Sequence, residues 1–177
     1  MVILTAIFIS CYMFTEMDIF LTLSITFGTI SYHFLMRLTV GAAVNAVMDN
    51  KADYTQKWYR PRKWEEKLFK LLNVKKWKGK VPTYSPETFD FSKRTPDEIA
   101  QAMCQAEIVH EIILILNYLP IFASMWAGAL PVFVITSLLS SVPELVFIIT
   151  QRYNRPRIIR LIKRSNQRAA DAKSAVQ

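Results

Sequence analysis

The sequence is poor in the residues that carry most soluble-enzyme chemistry. Its two cysteines, Cys11 and Cys104, are too few and too isolated for a disulfide framework or a thiolate metal site. No P-loop, dinucleotide fingerprint or nucleophile elbow occurs. No internal repeat is present, and no acidic tract offsets the net charge of +8. Charge itself is missing from long stretches. Residues 1–48 hold only Glu16, Asp18 and Arg37, and residues 112–151 hold only Glu144.

Apolar residues nevertheless make up 52 % of a chain with 22 basic and 14 acidic side chains. Such a chain must segregate its charges. Basic clusters that abut apolar runs suit anionic lipid headgroups, and they argue against a nucleic-acid partner. With 177 residues, a single membrane domain is expected.

The pattern predicts an all-α integral membrane protein. About four transmembrane helices are expected, over residues 2–15, 19–37, 108–127 and 130–150, with an interfacial amphipathic helix and a cytoplasmic loop. The first run is short, about 21 Å at 1.5 Å per residue, against a hydrocarbon core of roughly 30 Å. No positive segment precedes it, so it is expected to stay in the mature protein as a thin or tilted span. The second helix is expected to continue through Leu38 to Met48. Eleven lysines and arginines between 51 and 80 place segment 48–103 in the cytoplasm. An even number of spans puts the basic tail, 151–177, on the same side, with both termini cytoplasmic and the protein multi-pass in the cell membrane.

Within the central segment, Pro61 opens a helix on which Trp64, Leu68, Leu71 and Leu72 share a face. Such a helix suits the membrane surface, with Lys63, Lys67 and Lys70 snorkelling. Gly79, Pro82, Pro86 and Pro96 predict a turn-rich loop over 75–96. Thr95, Pro96 and Glu98 then read as N-cap, first residue and capping-box partner of the next helix. Asn117 and Pro120 are expected to kink that helix, Pro143 to interrupt the last span, and the final ten residues to fray.

Both histidines fall on expected membrane helices, where ionisable groups are costly and point to function. His33 and Arg37, four apart, share one face; a snorkelling arginine and a histidine bonded to a neighbouring helix are the plainer alternative. Glu107, His110 and Glu111 form one stripe at i, i+3 and i+4. A carboxylate beside an imidazole favours its protonated form and suits a general base that takes a proton from a hydroxyl. A polar helix end bonded to loop residues is the alternative there. The Glu-x-x-His spacing has no second copy for a di-iron bundle, and Leu114 stands where a zincin needs its second histidine, so no metal is expected. At 151–157, Arg152, Arg155 and Arg157 interleave with Tyr153, Asn154 and Pro156. Guanidinium forks of this kind suit phosphate, of a lipid headgroup or of coenzyme A. Lys75, Lys76, Trp77 and Lys78 repeat that logic more weakly.

Three blocks, KWEEKLFKLLNVKKWKGKVP at 63–82, AEIVHE at 106–111 and QRYNRPR at 151–157, together resemble the glycosyl-4,4'-diaponeurosporenoate acyltransferase family of the staphyloxanthin pathway. The resemblance covers roughly residues 58–164, with Trp64, Glu65, Lys76, Trp77, Lys78, Pro82, Glu107 and His110 on its pattern. It implies transfer of a fatty acyl group to a sugar hydroxyl of a membrane glycolipid, in carotenoid biosynthesis. The residues themselves, rather than the resemblance, suggest His110 as the base and Glu107 as its orienter. Arg152, Arg155 and Arg157 serve phosphate or oxyanion, with Tyr153, Asn154, Lys76, Trp77, Lys78 and Glu111 around the substrates. His33 and Arg37 complete the cavity. The expected partners are membrane lipids, a lipid-linked acceptor and an acyl donor, for which acyl coenzyme A is one candidate, and no cofactor is expected. The rival reading is a non-enzymatic membrane protein that binds anionic lipid or a partner through its arginine-rich face. A metal-dependent lipid oxidase or hydrolase is a third.

Overall fold

The structure is a computed structural model that describes residues 1–82 and 86–174. Seven α-helices are described: α1 (Val2–Thr15), α2 (Asp18–Met48), α3 (Lys63–Leu71), α4 (Val74–Trp77), α5 (Pro96–Leu116), α6 (Pro120–Ala127) and α7 (Leu130–Ser174). Among the described residues there is no β-strand. Three segments are long and apolar enough to cross a membrane: Asp18–Met48, Pro96–Ala127 and Leu130–Ser174. The apolar α1, with 14 residues, is shorter than these. The chain divides into two compact units, Met1–Ala43 with Glu111–Leu145, and Val44–His110 with Val146–Gln177.

The first unit is built inside out relative to a soluble protein. Its buried side chains include Ser24, Thr29, Ser31, His33, Asn117, Ser137, Ser141 and Glu144, whereas Phe34, Leu38, Ile115, Phe122, Trp126 and Leu139 are exposed. Hydrocarbon accepts an apolar exterior, and small polar residues let helices approach closely. Thr29 and Ser31 are satisfied on their own helix, donating to the carbonyls of Ile25 and Phe27, each at 2.7 Å. Phe8 of α1 stacks on Phe27 of α2, ring centroids 5.4 Å apart. A β-carbon at Gly28 would meet the Thr5 methyl at 3.4 Å, so the two helices pack closely there.

Prolines act differently in α5 and α7. Near Pro120 the helix ends: α5 stops at Leu116, and α6 starts with the proline as its first residue, where no N–H is needed. The Leu116 carbonyl accepts from the Leu119 N–H at 3.1 Å and from the Tyr32 hydroxyl at 2.9 Å. Pro143, expected to interrupt the last span, lies instead within an unbroken α7. Pro143 has no N–H for the Leu139 carbonyl, and one residue further on the Arg37 guanidinium donates to the Ser140 carbonyl at 2.9 Å as well as to Glu144 Oε1 at 2.8 Å. A second expectation is also corrected. The basic tail does not fray from residue 168, since α7 stays helical through Ser174, while residues 175–177 lie outside the described part.

The second unit has an apolar centre of Ala52, Tyr59 and Cys104, packed by Met48, Tyr54 and Ile108. The expected capping box opens α5: the Thr95 N–H donates to Glu98 Oε2 at 2.8 Å, and the Glu98 N–H donates to Thr95 Oγ1 at 3.3 Å. The expected interfacial helix, α3, begins at Lys63 with Arg62 as N-cap rather than at Pro61, and its Trp64 and Leu71 are exposed, as an interfacial helix requires. Turns and 3₁₀ segments at Lys78–Lys80 and Pro86–Phe89 make up much of the expected loop, of which residues 83–85 lie outside the described part.

The Tyr54 hydroxyl donates to Asp97 Oδ1 at 2.5 Å, and this bond to an anion, with partial burial, pushes its pKa up to about 12. A folded value above the ordinary 10.0 stabilises the fold below pH 10, and that contribution disappears as pH rises through 12. Tyr54→Phe is expected to cost about 1 kcal/mol, reduced from the usual charged-bond value by solvent screening. The loss, read as a denaturation midpoint, should be full at pH 8 and shrink above pH 10.

Candidate active site

The three sequence blocks meet in one buried charge cluster of the second unit. Glu65 comes from the first turn of α3, Glu107 from α5, and Arg152 and Arg155 from successive positions along α7. Glu107 is fully buried, and both its oxygens accept from guanidinium groups, Oε1 from Arg152 and Oε2 from Arg155. Arg152 bridges onward, donating through Nη2 to Glu65 Oε1 at 2.6 Å. Arg155, 1 % exposed, also donates to the Tyr59 carbonyl at 2.8 Å and lies over the Tyr59 ring at 5.0 Å. Two arginines and two glutamates therefore balance one another out of water. Such a cluster holds its geometry because each charge would be costly without its partners.

Spacing along helices explains why these residues can meet. Arg152 and Arg155 lie three apart and so share one face of α7. Glu65 is the N3 residue of α3, and its other oxygen accepts from the Arg62 N–H at 3.2 Å, which fixes the start of that helix.

One turn beyond Glu107 on α5, the half-buried His110 ring stacks on Phe147 with centroids 4.5 Å apart and an interplanar angle of 11°. Glu111 is the next residue, also half-buried. On the far side of the α7 basic turn, Tyr153 packs edge-on against Phe69 at 5.5 Å. Lys78 donates to Asn154 Oδ1 at 2.6 Å, and both Lys78 and Arg157 lie over the Tyr153 ring. Burial, and then the nearby Arg157 charge, hold the Lys78 pKa below its ordinary value. Trp77 donates its indole N–H to the Leu72 carbonyl at 2.8 Å, closing the turn between α3 and α4, and Lys76 is exposed.

His33 and Arg37 belong to the first unit. The His33 Nδ1 and Asn117 Oδ1 are 3.0 Å apart, within hydrogen-bond distance. Sequence reasoning missed Asn117, read there only as a helix kink, and Glu144, noted there only as the single charge of residues 112–151. It also placed Glu65 only as a pattern residue, although a glutamate in a lysine-rich helix start was open to a structural reading. Among the described residues no three His, Cys, Asp or Glu side chains gather as metal ligands.

The family described as glycosyl-4,4'-diaponeurosporenoate acyltransferase matches residues 55–164, which include every residue of the buried cluster. No curated protein and no solved structure matches the chain.

Proposed function

The chain belongs to the glycosyl-4,4'-diaponeurosporenoate acyltransferase family, and on that premise we propose that it moves a fatty acyl group onto a hydroxyl of a glycolipid or other lipid-linked acceptor. The observation that carries the reading is the cluster of Glu65, Glu107, Arg152 and Arg155. It gathers side chains from all three blocks that resemble the family, and it lies one helical turn from the histidine best suited to the chemistry.

In this reading His110 takes the proton from the acceptor hydroxyl as the oxygen attacks the acyl carbonyl. The bond from the carbonyl carbon to the donor's sulfur or oxygen then breaks, and the leaving group takes the proton back from the imidazolium. Phe147 fixes the plane of the ring. Glu107 is a positioning residue: it holds Arg152 and Arg155, and with them the basic turn of α7, beside the His110 turn of α5. A guanidinium already matched by a buried carboxylate offers little to an incoming anion, so the phosphate and oxyanion role falls on the exposed Arg157 and on Lys78. By the positive-inside rule, both basic segments face the cytoplasm and the acyl donor arrives from there.

Supplying the purified chain in nanodiscs with labelled acyl thioester and a glycosylated lipid tests the reading. Label in a new ester of that lipid, retained after metal chelation, is expected. No transfer to any lipid hydroxyl would favour the non-enzymatic alternative, in which the cluster only holds the helices together.

A further inference from the structure

Tyr153 carries two cations, and among the described residues no carboxylate pairs with either of them. The Arg157 guanidinium carbon lies 3.8 Å from the ring centroid, and Lys78 Nζ lies 5.3 Å from it. Each has one hydrogen-bond acceptor described. Lys78 donates to Asn154 Oδ1 and Arg157 donates to the carbonyl of Tyr153, one turn back on α7. An ammonium has three donors and a guanidinium five, so most of their hydrogen-bonding capacity is open.

Five other cations of the unit have a described carboxylate partner, and among the described cations without one Lys78 alone is half-buried rather than exposed. Arg152 and Arg155 are matched by buried glutamates, and Lys51, Lys93 and Arg94 each have a carboxylate within 4 Å at the surface. Lys78 is half-buried, faces a second positive charge, and is held in place by a neutral amide. The ring and Asn154 hold two like charges at one aromatic side chain, and an anion bound by both would offset their repulsion. A planar fork beside a compact ammonium matches a group with several oxygens on one centre, as in a phosphate.

We propose that Lys78 and Arg157, seated on Tyr153 and steadied by Asn154, form a phosphate-binding site in which the ammonium and the guanidinium take different oxygens of one phosphate group. The phosphate comes either from the headgroup of an anionic phospholipid or from the nucleotide part of a soluble acyl thioester. As the substrate-binding part of a transferase, the site rests on the reading above. Its test uses binding alone, so the two can fail separately.

The full chain, in phosphatidylcholine nanodiscs, is titrated with coenzyme A by calorimetry. In a second arm, retention of phosphatidylglycerol by the purified chain is measured by native mass spectrometry. Lys78→Gln and Arg157→Gln are compared with Arg164→Gln, an exposed charge on the same helix, after thermal melting by circular dichroism confirms that all three are folded. Each of the first two is expected to weaken one probe by about tenfold, as loss of a charge-assisted bond does, while Arg164→Gln changes it by less than about twofold. Loss in the coenzyme A arm assigns the phosphate to the donor, and loss in the phosphatidylglycerol arm assigns it to a lipid headgroup. If Lys78→Gln and Arg157→Gln match Arg164→Gln in both arms, the site does not exist. Lost probe binding in a chain that shows no acyl transfer would leave the phosphate site standing and remove only the transferase.

Discussion

Glu107→Ala is expected to destabilise the protein by about 3–5 kcal/mol, the range for breaking a buried ion pair from one side. The carboxylate is fully buried and accepts from two guanidinium groups, so its loss affects both, though unequally. Arg152 keeps Glu65 at 2.6 Å. Arg155, at 1 % exposure, keeps the Tyr59 carbonyl and ring and the Cys104 side chain as neutral partners, none of which matches a full charge. Most of the cost therefore arises at Arg155. Removing that charge as well, in Glu107→Leu with Arg155→Met, should recover much of the loss, because apolar packing can replace a buried pair. Thermal unfolding in detergent of the two variants and the parent reads the difference directly. A Glu107→Ala protein within about 1 kcal/mol of the parent would show that the cluster is not closed as described.

His110→Ala is expected to lower acyl transfer by about 10²–10⁴-fold, the usual contribution of a general base. The change should fall on kcat and kcat/KM together, since proton removal is an interaction of the transition state. Stability should fall far less than in Glu107→Ala, because the half-buried imidazole has Phe147 as its described ring contact and lies outside the arginine–glutamate pairs. The contrast separates two roles on one helix: Glu107 supports the site by holding charges, and His110 acts on the substrate. Assays of acyl transfer beside unfolding midpoints for both variants measure it. A well-folded His110→Ala protein with unchanged transfer would move the base elsewhere and leave His110 a packing residue.

The helical membrane architecture was readable because charge is so unevenly placed along the chain. Long uncharged runs, bounded by Arg37 and by the basic turn at 152–157, mark the three long helices, and Thr95 with Glu98 mark one start to the residue. What misled was proline. Pro120 and Pro143 carry the same local signal, yet one opens a new helix while the other rides inside α7, with Arg37 donating to a carbonyl of the disturbed turn. That Arg37 contact comes from some hundred positions away and is invisible to local reasoning.

The candidate site was partly legible for a similar reason. Residue types pointed to Glu107, Arg152 and Arg155, which do come together, but their pairing partners could not be read from spacing along a single helix. Glu65 sits at a helix start, where an acidic residue already has a local use in capping, so nothing in its surroundings marked it for Arg152. Arg157 shares its motif with Arg152 and Arg155 but stays exposed on Tyr153, and only the three-dimensional arrangement distinguishes the matched arginines from the open one.

Mass spectrometry of membrane lipids from cells with and without the gene tests acyl transfer most directly. One glycolipid is expected to lose the mass of a fatty acyl group when the gene is removed, and to regain it with the wild-type gene but not with His110→Ala. Indistinguishable lipid profiles in all of these cells would contradict it.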